Sequence, residues 1–206
     1  MTERKISAEE AGFALFLQEL KDEGVIIDYK HHPKTFELIP SVKCYYHDES
    51  ARKNKVKEKH LLYNDTYTPD YYIEWNQIYL DKIYTFLSFN QDRTKPYHVN
   101  PSLIFFIANE YERSYENPIT KHETWIDVKG TFVGRNNLSG STFPIKQKML
   151  LHIHGIYVQK IEIPTFFITS FTPKDYHIPI SRKTGQSKWK RISVKTFMDL
   201  LNQNLF

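Results

Sequence analysis

Apolar side chains recur at helical spacing most clearly near the start of this chain. Ala11, Ala14, Leu15, Leu17 and Leu20 follow one another in steps of roughly three and four residues, the period that lines one face of a helix. Ser7 and Glu10 bracket the start as a capping box, and Gly24 stops the run. The pattern predicts a helix over residues 8–23. Shorter β-prone runs follow at 25–29 and 36–39, joined by a turn through His31, His32, Pro33 and Lys34. Residues 71–75, entered through Pro69 and Asp70, and residues 124–129, closed by Gly130, read as two further strands. Residues 134–140 form a Gly-, Asn- and Ser-rich loop. A helix is then expected from Thr142 as N-cap, with Pro144 in its first turn, to about His154 and the stop at Gly155. Alternation over 156–163 predicts a strand, and a final helix starts near Val194.

The remaining stretches are less periodic. Residues 47–60 are dense in charge (Arg52, Lys53, Lys55, Lys57, Lys59), which predicts an exposed loop or a short helix. Residues 78–89 fit a helix or a strand, 90–101 a polar loop, and 103–108 a buried apolar run. With no internal repeat and no linker, the economical expectation is one α/β domain over 1–206. Residues 77–122 would be an insertion and 164–206 a C-terminal extension.

Composition narrows the class. The 206 residues are 40% hydrophobic and 15% aromatic, as in a folded chain rather than a disordered one. The lone cysteine, Cys44, cannot form an internal disulfide, so a reducing cytoplasm is the expected compartment. No apolar run approaches the ~18–20 residues that span a bilayer, and the opening residues lead into an amphipathic helix rather than a signal peptide. No membrane partner is expected. The net charge of +4 permits a polyanionic partner without demanding one.

Candidate chemistry centres on Asp127 and Lys129. Residues two apart on a strand share a face, so the pair would sit side by side. An acid-x-Lys triplet alone means little, because 24 acids and 28 bases should produce about three by chance. Glu19-Leu20-Lys21 and Asp28-Tyr29-Lys30 are two such triplets. Asp127 and Lys129 differ because Trp125, Ile126 and Val128 interleave with them, implying charges held in a buried strand. Such charges cost several kcal/mol unless they are paired or bind a metal. Asp70 could supply a second carboxylate from its own strand. Two carboxylates hold Mg²⁺ through oxygen, and a nearby lysine can stabilise charge on a phosphate. The plainer readings are a turn aspartate for Asp70, a half-buried ion pair for Asp127 and Lys129, and capping alone for Glu10.

Other candidates carry less. His152 and His154 diverge on a helix end, His31 and His32 read as a turn element, and Cys44 lacks a paired base. The stretch 182–191 combines five cations with Trp189. It reads either as a solvated loop or as a phosphate-tracking segment, with Lys188, Lys190 and Arg191 on the backbone and Trp189 stacking on a base.

Pro69-Asp70 followed by Asp127-Val128-Lys129 resembles the PD-(D/E)XK nuclease signature. Gly24-Val25-Ile26, the His31-to-Leu38 segment and the run Phe143 to Leu150 are similar to phage-encoded, junction-resolving endonucleases of that superfamily. The resemblance covers residues 7–40, 66–76 and 123–163. It implies a restriction-endonuclease-like mixed central sheet flanked by helices, with an insertion between the two motif strands. The activity implied is Mg²⁺-dependent DNA endonuclease, with Mn²⁺ able to substitute, acting on branched DNA in phage recombination or replication. Asp70 and Asp127 would be metal carboxylates, the Val128 carbonyl a further ligand and Lys129 the catalytic lysine. Glu10 would be the helix acid, with Glu9 and then Glu19 as alternatives. Lys146, Gln147 and Lys148 would approach DNA, and a homodimer is the implied assembly. The spacing of 57 positions between Asp70 and Asp127 exceeds the family's usual hairpin, hence the insertion. The competing readings are a non-cutting nucleic-acid-binding module of the same fold, and a phage or plasmid structural or regulatory protein whose motif match is accidental.

Overall fold

The computed structural model describes residues 6–48, 55–79, 84–86, 105–107, 123–130 and 138–202. The expected loop at 90–101, residues 134–137 of the 134–140 loop, and residues 103, 104 and 108 of the 103–108 run lie outside them. A mixed four-stranded sheet organises the chain, built from β1 (Ile26–His31), β6 (Tyr71–Trp75), β9 (Glu123–Gly130) and β10 (Val158–Ile163) in that spatial order. β1 pairs antiparallel with β6 and β6 antiparallel with β9, while β9 and β10 run parallel. The parallel step needs a crossover, and α2 (Leu138–His154) lies within it. The architecture is thus α/β, a mixed sheet flanked by helices.

Helix α1 (Ala8–Asp22) begins where the capping box predicts. Ser7 Oγ accepts from the Glu10 amide at 3.1 Å and donates to Glu10 Oε1 at 2.9 Å. Its buried face is Phe13, Phe16, Leu17 and Leu20, a true i, i+3, i+4, i+7 stripe, whereas Ala11 is exposed. The expected stripe through the alanines was rotated, because the two phenylalanines bury far more apolar area, each worth roughly 1.5–3 kcal/mol. These side chains meet Ile73, Trp75, Ile126, Val128, Ile161 and Ile163 from one face of the sheet. Phe166 and Phe167 of α3 (Thr165–Thr169), Phe171, and Phe197 and Met198 of α4 (Val194–Asn202) complete the same core. A ring array binds it together: Phe16 stacks on Phe171 at 4.1 Å between centroids and meets Phe166 edge-on at 5.0 Å. The opposite face carries a smaller cluster. There Phe143 and Leu150 of α2 pack with Val158, with Phe36 and Leu38 of β2 (Phe36–Ile39), and against Trp125 and Tyr67. β2 pairs with β5 (Asp65–Tyr67).

Several boundaries differ from the sequence reading. Helix α2 starts at Leu138, not Thr142, so Pro144 is its seventh residue rather than part of the first turn. Burial of Phe143 against Leu150 and Val158 anchors the turn around the proline. Of the charged 47–60 stretch, the described residues lie in strands rather than in a loop or helix: β3 (Val42–Asp48) and β4 (Lys55–Leu62) form an antiparallel ribbon. Cross-strand pairing of Tyr46 with Lys57 and Tyr45 with Glu58 accommodates the charges on its faces. Within 78–89, Gln77–Tyr79 is a 3-10 turn and β7 (Tyr84–Phe86) pairs parallel with β8 (Phe105–Ile107).

Candidate active site

The sheet itself brings the motif residues together. Tyr71 pairs with Ile126 at the end of the β6–β9 ladder, which brings Asp70, the residue before β6, close enough to Asp127 for the two charges to interact. The ladder continues on the other side too, where the His32 amide donates to the Asp70 carbonyl at 2.8 Å. Trp75 Nε1 donates to Thr124 Oγ1 at 2.8 Å, inside the core, and fixes the same register from the far end of the strand.

Both carboxylates are buried, Asp70 to 6% and Asp127 to 3% exposure. Asp70 Oδ2 accepts from the Val128 amide at 2.8 Å. Burial first, and then the Asp127 charge beside it, push the Asp70 carboxyl up to about 6. The Val128 amide and Lys129 oppose the shift, and the charge of Glu10 adds to it. Asp127 Oδ1 accepts from Tyr67 Oη at 2.8 Å. Burial and the neighbouring Asp127 hold the Tyr67 phenol far above its ordinary range, so it stays protonated and can donate to Asp127. Lys129 Nζ lies 2.6 Å from Asp127 Oδ2, within pairing distance. It does not meet hydrogen-bond geometry, so the buried oxygen is compensated by the ammonium charge rather than by an aligned donor. Asp70, Asp127 and a neighbouring backbone carbonyl are oxygen donors of the kind that could hold Mg²⁺.

Glu10 reaches the site from the helix side. Burial raises its carboxyl, but hydrogen bonds from His31 and Ser7 and the charges of His31 and His32 outweigh that and leave it lowered. Its Oε2 lies 2.9 Å from His31 Nε2 and 3.7 Å from His32 Nε2, and His32 Nε2 lies 3.6 Å from Asp70 Oδ1. Tyr71 Oη donates to the Glu10 carbonyl at 2.9 Å and ties the helix to the sheet. Of the two alternatives, Glu9 lies against Gly130, where an added Cβ would come within 2.7 Å of its Oε1. Glu19 is elsewhere, accepting from the Lys174 amide.

Sequence reasoning did not place Tyr67, His31 or His32 in this cluster. Tyr67 left only an aromatic residue shortly before Pro69 as a signal. The paired histidines were visible, but consecutive strand residues normally diverge.

Of the expected DNA-contacting residues, some are held by other groups of the fold and others are exposed. Lys146 pairs with Asp65 at 2.9 Å and bonds the Thr66 carbonyl, next to Tyr67. Gln147 is a structural prop rather than an open contact, donating to the Val158 carbonyl at 2.6 Å. Lys148 is exposed. Arg191 does not project as a free cation: its guanidinium donates to the carbonyls of Thr172, Pro173 and Tyr176. Trp189 is half-buried and donates to Thr172 Oγ1 at 3.0 Å, which ties its indole to the body of the fold. Lys188 and Lys190 remain exposed. His154 bonds the Glu37 carbonyl. Among the described residues no helix is long and apolar enough to cross a membrane. No protein-family model, curated protein or solved structure matches this chain.

Proposed function

We propose that the chain is a divalent-cation-dependent nuclease of restriction-endonuclease-like fold, hydrolysing phosphodiester bonds in DNA. The observation that carries this reading is the meeting of Asp70 and Asp127 at one end of the sheet, both buried, beside the Lys129 ammonium. Asp70, Asp127 and the Val128 carbonyl would hold Mg²⁺, with Glu10 adding a carboxylate from the helix side. When bound, the cation supplies Lewis acidity at the phosphate and acidifies water. Tyr67 holds Asp127 in place through Oδ1, leaving Oδ2 to the Lys129 ammonium. Lys129, partly exposed while Asp127 is buried, can swing from the carboxylate to an incoming phosphate and balance the charge that develops there. Lys146 sits on the same side through Asp65 and could exchange that partner for the DNA backbone. Branched DNA as substrate, a homodimer and a phage origin rest on the sequence resemblance alone.

The test is cleavage of linear, single-stranded and four-way-junction DNA with Mg²⁺ or Mn²⁺, beside Asp127→Asn and Lys129→Ala. Loss of about 100-fold or more in both variants is expected. Cleavage persisting unchanged in both would remove the site assignment. Tight binding of DNA without cleavage would favour a recognition module, and no affinity for any DNA would favour a structural or regulatory role.

A further inference from the structure

We propose that Glu10, His31 and His32 form a second cation subsite, adjoining the Asp70–Asp127 pair. Its imidazole donors would select borderline transition-metal ions such as Mn²⁺, Co²⁺ or Zn²⁺ over Mg²⁺. One ligand atom from each of the three side chains lies within 4.8 Å of the others. Glu10 Oε2 is 2.9 Å from His31 Nε2 and 3.7 Å from His32 Nε2. Around a cation bound at about 2.1 Å, neighbouring ligands sit about 3.0 Å apart in octahedral geometry and about 3.4 Å apart in tetrahedral geometry. The observed spacings bracket those values. Ser7 holds the other carboxylate oxygen, Oε1, at 2.9 Å, so Oε2 is the one presented to the two rings.

The backbone gives an independent reason. Adjacent residues on an extended strand project to opposite faces, which would separate the two imidazoles. His32 instead has φ of +46°, a left-handed conformation that a non-glycine residue rarely adopts and that concentrates at functional sites. That turn brings the rings together at 3.8 Å between centroids. The His31 ring also lies against Tyr71, at 4.9 Å, whose hydroxyl holds the Glu10 backbone. The turn delivers a second imidazole to the carboxylate that His31 already bonds. Two nitrogen donors on one carboxylate suit Mn²⁺-to-Zn²⁺ ions, whereas Mg²⁺ prefers oxygen. Asp70 Oδ1, 3.6 Å from His32 Nε2, offers a fourth ligand and joins the subsite to the buried carboxylates. The histidine side chains retain 20–25% exposure, which leaves a path for an ion.

This inference goes beyond the nuclease reading, and its test contains no DNA. The untagged full chain is stripped with chelator and titrated with Mn²⁺. Binding is followed by electron paramagnetic resonance, and pulsed measurements report nitrogen nuclei coupled to the ion. The expected result is imidazole nitrogen coupling in the wild type. His31→Gln and His32→Asn, checked for folding by circular dichroism, should lose the coupling and weaken Mn²⁺ at least about tenfold, with Mg²⁺ affinity changed less than about twofold. Asp127→Asn should keep the coupling and weaken Mg²⁺. Absence of nitrogen coupling in the folded wild type, or equal weakening of both ions in the histidine variants, would overturn the subsite. A protein that cuts DNA without nitrogen coupling loses only this inference, and one with coupling that never cuts loses only the nuclease reading.

Discussion

Asp70→Asn should stabilise the metal-free protein while abolishing its function. Asp70 is buried beside Asp127, and its folded carboxyl is raised from 3.8 to about 6. A carboxyl whose folded pKa exceeds its unfolded one holds its proton more tightly in the native state. Stability therefore falls as pH rises from about 4 to about 6, and above that window ionised Asp70 costs a constant amount. At 1.36 kcal/mol per unit the full cost is about 3 kcal/mol. Asparagine removes the charge and keeps the shape. Its carbonyl can still accept from the Val128 amide, and its NH₂ can donate toward Asp127. In chelator at pH 8 the variant should gain about 1–3 kcal/mol by urea denaturation, and Tm should rise by about 3–9 °C for a chain of this size. At about pH 3, below both the unfolded and the folded pKa, where wild-type Asp70 is largely protonated in both states, the two proteins should converge. Mg²⁺ at about 1,000 times Kd should reverse the ranking, because only the wild type gains binding energy, about 4.1 kcal/mol. A variant that is less stable at pH 8, or a difference that does not change with pH, would show that the two acids do not repel in a shared pocket.

Tyr67→Phe removes the donor to Asp127 Oδ1. A hydrogen bond to a buried carboxylate contributes about 1.5–3 kcal/mol. Denaturation should register a loss of that order in chelator, and calorimetry should show Mg²⁺ affinity falling about tenfold; unchanged affinity would mean that the phenol does not orient the ligand. Gly12→Ala should destabilise despite the better helix propensity of alanine, worth about 1 kcal/mol. The new Cβ would lie 2.8 Å from Cε2 of the Tyr176 ring. That ring is wedged edge-on against Phe167 at 4.7 Å, and its backbone carbonyl is held by Arg191. A net loss of about 1–2 kcal/mol is expected, and a Tm equal to or above wild type would contradict it.

Much of the frame was legible because it depends on local rules. The Ser7–Glu10 capping box, the stop at Gly155, and the strands around Ile73 and Ile126 all follow from residues that act on their immediate neighbours. Asp127 and Lys129 stood out for the same reason, as charges set among Trp125, Ile126 and Val128. What could not be read was long-range. The ladder that brings Asp70 close to Asp127 depends on a pairing 55 positions apart, between Tyr71 and Ile126. The ribbon of β3 and β4 was hidden because lysines at alternate positions look like a solvated loop, and only a partner strand gives them a β period. The sequence places His32 in a turn after β1, but nothing local announces that its backbone swings the ring alongside that of His31. Arg191 and Trp189 looked like free surface chemistry, yet the carbonyls of 172–176 and the Thr172 hydroxyl take them up.

The pairing of β6 with β9 has an architectural corollary. Hydrogen bonding between those strands, rather than the length of chain joining them, sets where the two acids fall. Slipping the ladder by one residue would send one acid through to the opposite side of the sheet, so the strand ends at Trp75 and Glu123 are where no insertion should be made.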